Sequence, residues 1–307
     1  MPAPSLSTLK ADNLFNLEGV VAVITGGSSG IGAMLASTLL ANGARVYVVG
    51  LDQKEVDEFA TKYNVLAGDV RSSGSIIGVQ GDVSTKAEAK RLADLIASKE
   101  KYVTCLFNNA GITGPASEYP EKPDAKSFVE SYFDGLSEDD FKQVHSVNSI
   151  GPFFLSLAFL PLLEASKQAP YGDKFQPQII NTSSMNGWTK DPITSGRSWA
   201  YLASKAAIAS LTPQLAHDFL PLGVRVNSIA PGWFVTGMSA PGSVDSYGVT
   251  NKPELQSESM GFKTPVGGSG GPKDVGSVAL SLLVNRFING ETILVDGGTL
   301  LVHPSSY

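Results

Sequence analysis

Val20-Val21-Ala22-Val23-Ile24-Thr25-Gly26-Gly27-Ser28-Ser29-Gly30-Ile31-Gly32 sets a short β-branched apolar run directly against a glycine-rich turn. An uninterrupted run of this kind, Val20–Ile24, suits a strand buried on both faces. Ala33–Ala41 follows with helical composition, and Gly43 is its stop signal. Strand, glycine turn and helix together make a cradle for a pyrophosphate. Such a ligand needs backbone that approaches without Cβ atoms in the way, and it gains from the positive end of a helix. The spacing is Gly26-x-x-x-Gly30-x-Gly32. That is a longer turn than G-x-G-x-x-G, and one that could wrap the adenosine side of a dinucleotide. A tight turn with no ligand is the bland alternative; the strand–turn–helix setting argues against it. Gly26, Ser28, Ser29, Gly30, Ile31 and Gly32 are therefore cofactor candidates.

The alternation continues outward. Arg45–Val49, Ser75–Gln80, Tyr102–Phe107, Gln178–Asn181, Val224–Ile229 and Thr292–Val295 read as further strands. Gln53–Tyr63, Thr85–Lys99, Asp139–Leu163, Ala200–Phe219 and Lys273–Leu283 read as helices, with a kink expected near Gly151-Pro152 and another at Pro213. Alternating strands and helices imply an α/β doubly wound parallel sheet of about seven strands. No linker or composition break divides the chain. One domain is expected over residues 1–307, with an N-terminal extension (1–17) and a loop-rich region (233–272).

Composition excludes several functions. The charge is 23 − 29 = −6 with no basic run, so nothing points to nucleic acid. Cys105 stands alone in an apolar run and reads as a small buried hydrophobe. The N-terminus lacks the pattern of a secretory signal, and no uninterrupted apolar window of about 18 residues is seen, the most apolar helix being broken by Gly151 and Pro152. A cytoplasmic protein that meets no membrane is expected. His145, His217 and His303 show no metal-ligand spacing.

The ends of the strands carry the chemistry. Asn108-Asn109-Ala110-Gly111 closes the fourth strand, where a ligand crevice opens in an open α/β sheet; its small residues and amides suit cofactor contact and strand tying. Asp82-Val83 closes the third, where a carboxylate suits an adenine amino group or caps the next helix. Tyr201 and Lys205 lie four apart on one helix face. An ammonium beside a phenol favours the phenolate, tuning the tyrosine toward proton transfer as hydride moves at carbon. The spacing alone arises about 0.5 times by chance in a chain this rich in Tyr and Lys, so the order of motifs carries the argument. Ser183-Ser184, just past the Gln178–Asn181 strand, brings two hydroxyls to its end, one of which suits a substrate oxygen.

Thr25-Gly26-x-x-x-Gly30-Ile31-Gly32, Asp82-Val83, Asn108-Asn109-Ala110-Gly111, Asn148, Ser183-Ser184, Tyr201-x-x-x-Lys205, and Pro231-Gly232 with Thr236 occur in the order of the short-chain dehydrogenase/reductase family, which the chain resembles over about 17–300. Its likeness is to 3-oxoacyl reductase-like and fungal biosynthetic members. The resemblance implies a Rossmann sheet ordered 3-2-1-4-5-6-7. It implies catalytic roles for Asn148, Ser184, Tyr201 and Lys205, with Ser183 structural and Asn148 holding a water that links the lysine to solvent. It implies cofactor contacts from Gly26, Ser28, Ser29, Gly30, Ile31, Gly32, Asp82, Val83, Asn109, Ala110, Gly111, Tyr201, Lys205, Pro231, Gly232 and Thr236, while Asp52, one step past the position that aligns with the family's usual acid, could still reach a ribose. It also implies a homodimer or homotetramer through helices 139–163 and 200–219, which are apolar around much of their circumference.

The dinucleotide is NAD or NADP. Gly50 stands where an acid would grip the NAD ribose, Leu51 where an Arg would meet the NADP phosphate, and Asp52 one step on would repel that phosphate; the balance leans to NAD, with Lys54 and Arg71 able to turn inward. The segments Ile112–Leu136, Lys167–Pro177, Met185–Ala200 and Trp233–Pro272 are long. Trp188, Trp199, Trp233, Phe234 and Met238 in or beside them suit a bulky apolar small-molecule substrate, or else staple loops. Two other readings stay open at this point: non-redox chemistry on the same residues, and a cofactor-binding regulator.

Overall fold

The structure is a computed structural model that describes residues 6–70, 72–245, 250, 255 and 257–307. Seven strands, β1 (Val21–Thr25), β2 (Arg45–Gly50), β3 (Ser75–Gln80), β4 (Cys105–Asn108), β5 (Gln178–Thr182), β6 (Arg225–Pro231) and β7 (Thr292–Val295), form one sheet. All pairs are parallel and the order is β3-β2-β1-β4-β5-β6-β7. The expected topology is the observed one.

The helices are α1 (Ala11–Leu14), α2 (Gly30–Ala41), α3 (Gln53–Asp69), α4 (Lys86–Ala97), α5 (Ala125–Phe128), α6 (Glu138–His145), α7 (Gly151–Ala165), α8 (Trp199–Asp218), α9 (Pro272–Val284) and α10 (Thr299–Val302). They cover both faces. Successive side chains of a strand point to opposite sides, so β1 sends Ala22 and Ile24 into one core and Val21 and Val23 into the other. The first core gathers Leu35 and Leu39 of α2, Phe59 of α3 and Leu282 of α9. The second gathers Leu92 and Ile96 of α4, Leu155 and Phe159 of α7 and Leu215 of α8. Burial on both faces is why these strands read as unbroken apolar runs. Cys105 is fully buried, and burial pushes its thiol well up.

Several helix expectations are corrected. α3 runs on past Tyr63 because Asn64 uses its amide twice on β3, donating to Ile76 O (2.9 Å) and accepting from Ile76 N (2.7 Å). Gly151-Pro152 does not break its helix. A π turn, Ser146–Ile150, joins α6 to α7, and Pro152 sits in the first turn of α7, where no N–H is needed. The resulting stretch Glu138–Gln168 is long and apolar enough to cross a membrane by length and composition; half of its apolar window is buried in the protein, α7 packing on α4, β4 and β5. α8, by contrast, runs close to the expected Ala200–Phe219, with Pro213 inside it.

Candidate active site

The strand order reverses between β1 and β4, and the site lies at the carboxyl ends of these strands and of β5 and β6. Asparagines pull the strand ends together. Asn108 Nδ2 donates to Asn181 Oδ1 (2.9 Å). Asn109 Nδ2 donates to Thr25 O (3.0 Å), and the Asn109 and Ala110 amides both donate to Thr25 Oγ1 (3.0 Å). Above them opens a cavity of about 740 Å³.

One end of the cavity is the glycine turn, with Gly26, Ser28, Ser29, Gly30 and Ile31 in its wall. Gly30 has φ +50°, and a Cβ there would lie 3.3 Å from the Thr236 side chain across the cavity mouth. Ser29 is the N-cap of α2 but its side chain makes no capping bond, which leaves first-turn N–H groups of the helix available to a ligand. A glycine-rich turn beside an uncapped helix N-terminus fits a pyrophosphate. Gly32 does not line the cavity: a Cβ there would collide with the Gly26 carbonyl, so this glycine closes the turn itself.

The other end carries Ser184, Tyr201 and Lys205. Burial raises the Tyr201 pKa, and a hydrogen bond with Ser184 partly offsets this. The expected lowering by the neighbouring ammonium does not dominate: Lys205 Nζ stands 5.5 Å from the Tyr201 ring centre and donates instead to Thr182 O (2.7 Å). Burial brings Lys205 itself down to about 8. Tyr201 is therefore held as a neutral phenol, the form that can give a proton to a carbonyl oxygen. Ser183 donates to Lys205 O (3.1 Å) and so fixes α8 against β5.

Asn148 lies in the π turn, outside the cavity wall. It does not bond locally within its helix. Its amide nitrogen donates to Ile112 O (2.8 Å) and Ser204 Oγ (2.9 Å), and its Oδ1 accepts from Ile112 N (2.9 Å). A Cβ on Gly111 would lie 3.3 Å from Asn148 Oδ1 and 3.7 Å from Lys205 Nζ, so this glycine keeps open the space between the two.

Of the other cofactor candidates, Asn109, Ala110, Gly111, Pro231, Gly232 and Thr236 line the cavity; Asp52, Asp82 and Val83 do not. Asp52 caps α3 by accepting from Glu55 N (3.1 Å); Asp82 accepts from Ser84 N (2.9 Å) in a local turn and does not cap the next helix, whose N-cap is Thr85. Lys54 is exposed and faces Glu58 at 3.8 Å; Arg71 lies outside the described residues. Glu55, Glu58 and Phe59 of α3 line the cavity and were not foreseen. Their i, i+3, i+4 spacing was the available signal. Among the aromatic candidates, Phe234 lines the cavity together with Met238. The three tryptophans staple loops: Trp188 packs on Tyr307, Trp199 on Tyr132 and Trp233 on Phe262.

Residues 20–245 match the family model for short chain dehydrogenases. The chain belongs to the short-chain dehydrogenase/reductase family. It is 34% identical over 304 residues to the short-chain dehydrogenase/reductase PhomF of Diaporthe leptostromiformis, covering 98% of each chain. Among solved structures it resembles a Pseudomonas aeruginosa RhlG/NADP active-site complex, with TM-score 0.72, 28% identity, and coverage of 93% of this chain and 98% of that one. It equally resembles a 7α-hydroxysteroid dehydrogenase complexed with NADH and 7-oxo glycochenodeoxycholic acid, with TM-score 0.72, 27% identity, and coverage of 94% and 97%. This short-chain dehydrogenase/reductase is thus an NAD(P)-dependent oxidoreductase.

Proposed function

We propose that the enzyme moves a hydride between the nicotinamide and the carbonyl or secondary-alcohol carbon of a fairly bulky apolar small molecule. The observation that carries this is that Ser184, Tyr201 and Lys205 share the wall of one cavity with the glycine turn. Gly26, Ser28, Ser29, Gly30 and Ile31 would hold the pyrophosphate end of the dinucleotide, which supplies or accepts the hydride. Ser184 Oγ steadies the substrate oxygen, and Tyr201 gives or takes its proton. Lys205 supports the phenol electrostatically, and Asn148 borders the opening beside Lys205. Phe234 and Met238 supply the apolar wall. Assaying α-tetralone, acetophenone and ethyl acetoacetate with both reduced dinucleotides tests the reading: turnover of at least one supports it, and tight dinucleotide binding with no turnover favours a pure binder.

Turnover is expected to fall as pH rises through about 8, where Lys205 loses its charge. The Lys205 contribution to stability runs the other way. Its folded pKa lies below the ordinary 10.5, so the unfolded chain holds more protons between about 8 and 10.5, and this contribution rises with pH across that window. A pH–rate profile flat to pH 10 would remove the ammonium from the mechanism.

The lean is to NAD. Leu51 is exposed and offers a 2′-phosphate no partner, while Glu55 and Glu58 add two carboxylates to the cavity wall near Ser28 and Ser29. Leu51→Arg is expected to raise the NADP/NAD ratio of kcat/KM by about tenfold, the scale of one exposed charge-assisted pair. An unchanged ratio would place recognition elsewhere.

A homodimer or homotetramer through α7 and α8 completes the reading. Ile150 and Leu157 are exposed on this side, and Phe153, Phe154 and Leu211 are only half-buried. Sedimentation at low micromolar concentration is expected to give a multiple of 32.2 kDa; a fully active monomer would contradict it.

A further inference from the structure

His303, in the five residues that end the chain, joins the loop after Ser184 to the segment after Ser257–Met260. Its Nδ1 lies 2.9 Å from Asp191 Oδ2, and its Nε2 lies 3.1 Å from the Lys263 amide nitrogen. A backbone N–H only donates, so Nε2 carries no proton; a carboxylate only accepts, so the proton is on Nδ1. The neutral imidazole in this one tautomer satisfies both partners. Flanking backbone reinforces the join. Thr189 pairs antiparallel with Ser305, Lys190 N donates to Pro304 O (2.7 Å) and Ser306 N donates to Trp188 O (2.9 Å).

A continuous path leads from this join to the site. Asp191 Oδ1 accepts from Ile193 N (3.3 Å) at the head of the Pro192–Ser195 turn. Thr194 Oγ1 in that turn donates to Asn186 Oδ1 (2.6 Å). The Asn186 backbone N–H donates to Ser184 Oγ (3.2 Å), the hydroxyl that shares the cavity wall with Tyr201. On the Lys263 side, Phe262 packs edge-on against both His303 (6.1 Å) and Trp233 (5.8 Å). Trp233 sits in the chain between Gly232 and Phe234, both on the cavity wall. The loop after Ser184 thus has its geometry set from the far end of the chain.

We propose that His303 is a positioning residue for the substrate end of the site, clasping the loop after Ser184 to the segment after Ser257–Met260 so that Ser184 Oγ points at the substrate oxygen. This rests on the reading of Ser184 given above. The His303→Phe enzyme keeps a ring against Phe262 but loses both hydrogen bonds. It is expected to lose about 10- to 100-fold in kcat, the cost of a small misplacement of a reacting group, with dinucleotide affinity kept within about twofold. Amide hydrogen exchange across residues 186–194 should accelerate, a readout that needs no substrate.

The experiment measures kcat for His303→Phe in the wild-type and Ser184→Ala backgrounds, on whichever of the three ketones the wild type reduces fastest. A large fall in the first and little further fall in the second supports the proposal. An unchanged kcat with unchanged exchange, or the same fractional fall in both backgrounds, overturns it. A Ser184→Ala enzyme with wild-type kcat overturns the reading of Ser184 instead, and the exchange over 186–194 then decides the clasp alone. If His303→Phe does not fold, Asp191→Asn, which weakens the same join, is judged by the same criteria.

Discussion

Tyr201→Phe is expected to lower kcat by about 10²–10⁴-fold, the range for loss of a general acid, while dinucleotide affinity stays within a few-fold. The ring still fills its place beside Lys205, and only the proton donor goes. That fall corresponds to roughly 3–5 kcal/mol of transition-state stabilisation. The neutral phenol sharpens the expectation. Burial raises the Tyr201 pKa, so the proton is present at neutral pH and the reductive direction finds its donor already charged with it. Residual turnover above about a tenth would mean under 1.4 kcal/mol was lost, and Tyr201 would not be the acid.

Gly30→Val is expected to weaken dinucleotide binding by at least about 100-fold with the fold retained, since two faults coincide. The position has φ +50°, which a β-branched residue adopts poorly, and the added Cβ would stand 3.3 Å from Thr236 in the mouth of the cavity. Titration calorimetry with circular dichroism separates lost binding from lost fold. Unchanged affinity would move the pyrophosphate away from this turn.

Much of this architecture was legible in the sequence for a physical reason. Strands buried on both faces must be apolar throughout, so the Val20–Ile24 run announced itself, and most of the motif residues that line the cavity lie at or just after strand ends where the chain must turn, with Tyr201 and Lys205 on α8. What escaped was set by tertiary partners. Asn64 extends α3 only because β3 offers it an amide and a carbonyl. Asp52 and Asp82 carry the right chemistry for a cofactor but use it on local N–H groups, which a short acidic side chain does readily at a helix or turn start. The upward shift of Tyr201 comes from burial, partly offset by Ser184, and spacing along a helix does not contain that burial. The clasp at His303 spans 112 residues to Asp191, and no local pattern marks it.

Deuterium tracing tests the central claim most directly. The wild-type enzyme is incubated with dinucleotide deuterated at nicotinamide C4 on the transferable face and with the ketone it reduces fastest, and the alcohol is analysed by mass spectrometry. One deuterium is expected on the carbinol carbon, with product falling by about 10²–10⁴-fold in Tyr201→Phe. Alcohol formed without deuterium from either face-labelled dinucleotide, or formed equally fast by Tyr201→Phe, would contradict it.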